Sequence, residues 1–316
     1  MTHLFVKIMP RTYRISVAGH VVSLNIDKKF ESAFLKDYAL FLTPANPQIH
    51  LEIEVSPGLL PIKDEDAKLE LLGKRVNIAE SYFSGSLDLA SGGGQIKINP
   101  VGFLAGLGQF LRNAYSLLVI REDRGIVLHA AAILRKEEAY IFIGPSGAGK
   151  STVAKLSADR AAILGDDLVI IKKVGVKDSP LIVHSSQKKN IVNTPVGAAF
   201  MRPAEAGAIN GAPTVGSEQF MVFPTPNWGD RHSGKYQNRA YPINKMFKLI
   251  QDKRVYLEKF SPGVALAQIF TKPQAPLEGL FADEMLERFR ELVSAVPFYG
   301  LHFLPEPSFW DVIEGV

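Results

Sequence analysis

The first hundred residues alternate apolar and polar positions with a period of two. Residues 13–22, 49–55 (IHLEIEV) and 95–98 carry that alternation or β-branched runs, which predicts strands. Turn residues separate them, among them the 44–47 stretch PANP and the triplet Gly92-Gly93-Gly94. A polar loop with Lys63, Asp64, Glu65 and Asp66 reads as a solvated surface. The pattern then changes to residues 101–120, VGFLAGLGQFLRNAYSLLVI, a helix with Pro100 suited to its first turn. Two apolar runs, 126–134 and 139–143, flank the polar turn 135–138 and predict a hairpin that delivers a buried strand. A short helix follows over 150–158. Residues 161–172 form a strand broken by Gly165-Asp166-Asp167.

From 185 to 239 the periodicity gives way to Gly, Pro, Asn and Ser, which predicts functional loops or a partly ordered lid. Order returns over 243–250, in a helix at 262–270 and in an amphipathic helix at 284–296. The expected organisation is α/β: a β-rich region over 1–100, a candidate for substrate recognition, and a P-loop domain with a mixed sheet over 101–316.

Composition narrows the class of function. The chain has 316 residues, 47% hydrophobic and 22% charged, which allows a buried core. Its 36 Lys+Arg against 32 Asp+Glu give a net charge of +4, too small an excess to predict nucleic acid or an anionic membrane as partner. No cysteine is present, so disulfides, thiolate zinc sites and a Cys nucleophile are excluded. Lys7, Pro10, Arg11 and Arg14 break the apolar residues at the start, and Gln109, Arg112 and Asn113 interrupt the 101–120 run. Neither stretch reads as a signal peptide or a membrane span, and the expected location is cytoplasmic.

Chemistry concentrates in IFIGPSGAGKSTVAKL. Gly144, Pro145, Ser146, Gly147, Ala148, Gly149, Lys150 and Ser151 satisfy G-x-x-x-x-G-K-[ST] between an apolar run and a helical segment. Glycines let successive N–H groups turn inward around phosphate oxygens at the positive end of the following helix. Lys150 then reaches the β- and γ-phosphates, and the Ser151 hydroxyl ligates Mg²⁺. Asp166 and Asp167 follow sixteen and seventeen residues after Lys150. Two adjacent carboxylates can divide the work between a metal and a hydroxyl nucleophile, although Gly-Asp-Asp is also good turn chemistry. His129, in IVLHAAAIL fifteen residues before Gly144, reads by itself as a core histidine. In the irregular stretch, Arg231, Lys235 and Arg239 are candidate cations for a transferred phosphoryl group, and Trp228 offers an aromatic face.

Three elements together, LHAAAI, GPSGAGKST and LGDD, resemble the HPr kinase/phosphorylase group, whose nucleotide fold is similar to that of phosphoenolpyruvate carboxykinase. The likeness covers about residues 125–173. Weaker pieces at 225–230 (TPNWGD), 241–242 and 296–313 resemble divergent HPr-kinase-related proteins, including kinases of precursor peptides. The resemblance implies ATP (or pyrophosphate) on the loop, with Gly147, Gly149, Lys150, Ser151 and Thr152 in contact. It also implies a metal contact and a catalytic base from Asp166 and Asp167, His129 near the reacting phosphate, and self-association. The string leaves open which Asp is base; the assignment taken here is Asp167 as base and Asp166, with Ser151, on Mg²⁺. Thr152 stands where the HPr enzymes carry Glu, and no counterpart of their second signature is present. The resemblance therefore does not extend to the reverse, phosphorylase reaction or to HPr as acceptor. The expected function is an ATP-dependent kinase acting on a Ser-type hydroxyl of a protein or peptide. Two alternatives are a small-molecule hydroxyl kinase of the same fold and a non-catalytic nucleotide-binding module.

Overall fold

In the computed structural model, residues 10–59, 68–175, 218–226, 235–270 and 281–315 are described. The first sheet is built from β1 (Arg11–Val17), β2 (His20–Ile26), β3 (Ile49–Val55), β4 (Lys68–Leu72), β5 (Arg75–Glu80), β6 (Phe83–Asp88) and β7 (Gly93–Ile98). Their spatial order is β1-β2-β3-β7-β6-β5-β4, with β3 parallel to both β2 and β7 and the remaining pairs antiparallel. The 13–22 run, expected as one strand, is a hairpin. Ala18 and Gly19 take φ of +53° and +89°, and Val17 pairs with His20 across this two-residue turn. A turn that short leaves the apolar pattern nearly unbroken, which hides it in the sequence.

One face of this sheet is apolar, with Val76, Ile78, Ile96 and Ile98 buried. Two helices cover it. The first, α1 (Lys28–Tyr38), is capped by Asp27, whose side chain accepts from the Lys29 N–H. It buries Phe34 and Tyr38, while its Phe30 stacks on Phe103 at 3.8 Å. The second, α2 (Phe103–Arg121), opens at Gly102 rather than at Pro100, two residues later than expected. A Cβ on Gly102 would lie 2.2 Å from the Tyr82 ring, so the close approach selects glycine there. By length and composition α2 could cross a membrane, but 78% of its apolar window is buried inside the protein.

The second sheet contains β8 (Ile126–Arg135), β9 (Glu138–Ile143), β10 (Ala162–Gly165), β11 (Leu168–Gly175), β12 (Glu218–Phe223), β13 (Lys235–Tyr236), β14 (Tyr241–Gln251), β15 (Tyr256–Lys259) and β16 (Phe298–Phe303). The helices of this half are α3 (Lys150–Ser157), α4 (Pro262–Phe270), α5 (Ala282–Ala295) and α6 (Phe309–Glu314). The expected β8–β9 hairpin is present, with Arg135 opposite Glu138. Strand β8 serves two neighbourhoods: residues 126–129 pair with β11, and residues 130–135 pair with β9. Strands β9, β14 and β16 run parallel. The fold is α/β with mixed sheets.

Part of the 185–239 stretch is regular after all. Phe220, Met221 and Val222 are buried in β12, which pairs with β11 from Ile170 to Gly175, because this short apolar run has a sheet edge to fill. Residues 185–217 and 227–234, including Trp228 and Arg231, lie outside the described residues, as does the loop with Lys63, Asp64, Glu65 and Asp66.

One apolar cluster runs from Ile15 and Ile98 through Leu107, Phe110 and Tyr115 of α2 to Val127 and Phe298. A second joins Ala131 and Ile133 of β8 to Val153 and Ala154 of α3 and to Phe309 and Trp310 of α6. Within it the Trp310 indole N–H donates to the Ser157 hydroxyl at 2.9 Å, which satisfies its polar atom in the interior.

Candidate functional site

Between β9 and α3 the chain turns through Gly144–Gly149. Gly147 and Gly149 take φ of +79° and +108°, in the left-handed region that favours glycine. A Cβ on Gly149 would also meet the Phe303 ring at 2.7 Å. Pro145, Ser146 and Gly147 are exposed, whereas Ala148 is buried and donates its N–H to the Pro145 carbonyl at 3.1 Å. The first intrahelical bond of α3 runs from the Val153 N–H to the Gly149 carbonyl, so the positive end of the helix faces the loop. Lys150 is only 7% exposed. Its ammonium donates to the carbonyls of Gly144 (2.8 Å) and Pro145 (3.1 Å), which keeps the cation inside the loop. Ser151 and Thr152 are half-buried in the first turn. Gln251 braces the loop from outside, donating to the Gly147 carbonyl at 2.9 Å.

The second element is the turn Gly165-Asp166-Asp167 between β10 and β11. Thr225 clasps it: the N–H donates to the Leu164 carbonyl at 2.9 Å and the hydroxyl to the Leu168 carbonyl at 2.7 Å. A Cβ on Gly165 would lie 2.7 Å from both the Leu168 carbonyl and the Thr225 hydroxyl, so only glycine fits beneath the clasp. Asp166 is 6% exposed. Asp167 receives Arg112 Nη1 at 2.9 Å on one oxygen and His129 Nδ1 at 2.9 Å on the other. His129 Nδ1 also lies 3.1 Å from the Asp167 carbonyl; with only acceptors around it, that nitrogen carries the ring proton. Burial pushes the Asp167 carboxyl up. The His129 hydrogen bond and the Arg112 charge outweigh it, and the carboxyl sits below its ordinary value.

Strand β8 brings loop and turn together. Ala130 pairs with Ile143, the residue before Gly144, on one side. On the other side His129 pairs with Leu168, the residue after Asp167, and the Ala130 N–H donates to the Asp167 carbonyl at 3.3 Å. The glycine loop and the Asp pair thus leave the sheet at the same level, two strand spacings or about 10 Å apart. Side chains alternate along a strand, so His129 shares a face with Ala131 and Ile133, the face packed against α3.

Among the sequence candidates, the structure gathers the loop residues, Lys150, His129, Asp166 and Asp167. It does not gather Lys235, which pairs with Ala162 at the far end of β10, about 10 Å of strand from Gly165. The Arg239 guanidinium lies 5.4 Å from the Tyr241 ring centroid. The cation beside Asp167 is instead Arg112. In the sequence it only interrupts an apolar helix, yet a charge at a buried helical position needs a partner, and that was the available signal. Thr225, Gln251 and Phe303 carried no such signal, since their roles exist only once distant strands are placed.

The groups that the resemblance assigns to a metal, the Ser151 hydroxyl and the Asp166 carboxylate, are hard oxygens. No group of three or more His, Asp or Glu converges among the described residues. That composition fits Mg²⁺, which takes one or two carboxylates and completes its shell with water and phosphate oxygens. Compared with known proteins, the chain matches no family model, and no curated protein matches it at a significant level.

Proposed function

We propose that this chain is an ATP-dependent kinase that transfers the γ-phosphoryl group to a Ser-type hydroxyl of a protein or peptide, on an HPr-kinase-like P-loop fold. One observation carries the reading: β8 holds the glycine loop on one side of residues 129–130 and the Asp pair on the other. A nucleotide whose phosphates sit on the loop would present its terminal phosphoryl group toward the Asp pair, about 10 Å away across β8.

In this reading the loop N–H groups and the end of α3 hold the β- and γ-phosphates. Lys150 exchanges its two carbonyl partners for phosphate oxygens, a short rotation from a cation already buried in the loop. Ser151 and Asp166 would hold Mg²⁺, which neutralises charge between the phosphates when bound. Asp167, fixed by Arg112 and His129, aims an acceptor hydroxyl at phosphorus. The oxygen–phosphorus bond forms, the bond to the β-phosphate oxygen breaks, ADP leaves and the hydroxyl proton passes to Asp167. A carboxylate with a lowered pKa suffices, because the loose transition state of phosphoryl transfer needs orientation more than a strong base.

Mass spectrometry of a Ser/Thr peptide library incubated with ATP and Mg²⁺ tests this. Wild-type protein should add one phosphate, and Lys150→Ala should abolish the gain. Asp167→Asn should lower transfer by about 10²–10⁴-fold with ATP binding retained. Undiminished transfer by Asp167→Asn would remove the base assignment. ATP binding without transfer to any peptide would overturn the peptide-kinase reading.

A further inference from the structure

We propose that Tyr256, with Arg254 beside it, is the platform on which the base of the bound nucleotide stacks; this rests on reading the glycine loop as an ATP site.

The placement follows from strand register. Ile143 lies opposite Lys248 on β14, and Lys248 opposite Gly300 on β16. Strands β14 and β16 therefore run three residues past the level of Ile143, the end of β9, to Gln251 and Phe303. The carboxyl ends of parallel strands form the crevice in which α/β sheets bind ligands. Both tips touch the loop, Gln251 through the Gly147 carbonyl and Phe303 through its ring beneath Gly149. The chain turns back at Asp252, whose N–H donates to the Phe303 carbonyl at 3.3 Å, and enters β15 with Tyr256 opposite His302. The Tyr256 backbone is thus two strand spacings, about 10 Å, from the β14 tip, with its ring on the His302 face of the sheet and the Phe303 and Gln251 side chains on the other. That span matches the reach of a nucleotide from its phosphates to its base.

The chemistry also fits. Tyr256 is 37% exposed, a large aromatic at a sheet edge. Its ring is nonetheless fixed. It stacks on His302 with centroids 4.1 Å apart and planes 12° from parallel, and its hydroxyl donates to Asp252 Oδ2 at 3.2 Å. His302 Nδ1 lies 3.0 Å from that same oxygen. Arg254 brings its guanidinium to 5.7 Å from the Tyr256 centroid. A rigid aromatic face and a planar cation are what holds a base by stacking, whichever base it is. With its phosphates on the loop at Lys150, the nucleotide would lie with its base toward Tyr256.

Binding of ATP and of inorganic tripolyphosphate, which has no base, separates the alternatives. In Tyr256→Ala, ATP affinity should fall about 5- to 100-fold, as loss of one base–aromatic stack does, with tripolyphosphate affinity unchanged. Tyr256→Phe, which keeps the stack, should stay within about twofold of wild type on the same grounds. Retained tripolyphosphate binding also shows that the loop is folded in each variant. Equal loss of both ligands in Tyr256→Ala would overturn the platform and make Tyr256 a support of the loop. No change in either would overturn it and leave the ATP-site reading standing. Failure of wild-type protein to bind either ligand would overturn both.

Discussion

Arg112 sits mid-helix with its guanidinium against Asp167, both side chains largely withdrawn from solvent. Removing one partner of such a pair leaves the other charged and uncompensated, at a cost of about 3–5 kcal/mol. Arg112→Met keeps most of the apolar stem and removes the charge. The Asp167 carboxyl, held below its ordinary value in the native protein, then rises because burial acts with less opposition. The sign follows directly. A depressed carboxylate adds stability above its unfolded pKa of about 3.9 and loses it as pH falls through the folded value. In Arg112→Met that contribution is smaller and its loss is complete at higher pH, and the acidic limb of the transfer rate against pH moves up with the folded value. A pH–rate profile of both proteins measures this; an unmoved acidic limb would mean that another group governs it. At this scale the sequence exposes motif residues well where, as at Gly147 and Gly149, local backbone geometry selects the residue. Arg112 is 55 residues from Asp167, and nothing local announces the contact.

The turn between β10 and β11 is held by Thr225, which follows β12 and Pro224. Thr225→Val preserves shape but removes the hydroxyl that donates to the buried Leu168 carbonyl. Leaving such an acceptor unsatisfied costs about 1–3 kcal/mol. Thermal denaturation should show that loss. Transfer should fall further than ATP binding does, since the turn positions Asp167 and not the loop. Equal loss of both would show that the clasp acts on the whole sheet. Elements were legible where polar residues interrupt apolar runs, as at the β8–β9 hairpin, where Lys136 and Glu137 form the turn at φ of +53° and +63°. They were hidden where the interruption is too short, as at Ala18-Gly19, or where the strand is a brief apolar island, as in β12. The register that joins the glycine loop to the Asp pair is a property of pairing between strands, and no periodicity within one strand encodes it.

On the scale of the whole molecule, α2 decides whether the two sheets behave as one body. Composition and pattern suggest a boundary near residue 100, yet the helix that follows it buries Leu107, Phe110 and Leu111 in a cluster shared with Ile96 and Ile98 before it and with Val127 and Phe298 after it. Phe110 meets Phe83 of the first sheet edge-on at 5.8 Å and is 1% exposed. Phe110→Ala should therefore cost about 3–5 kcal/mol, the range for a buried aromatic truncated to Ala. The cost should be felt beyond the first sheet. Trp310 lies in the other cluster, against Tyr140 and Phe142, and with Trp228→Phe as background it becomes the sole Trp reporter of the glycine-loop half. If a shared core couples the sheets, its fluorescence transition in denaturant moves with Phe110→Ala as far as the circular dichroism transition does. A Trp310 transition that stays in place while the first sheet melts early would make residue 100 a true domain boundary, with α2 belonging energetically to one side alone.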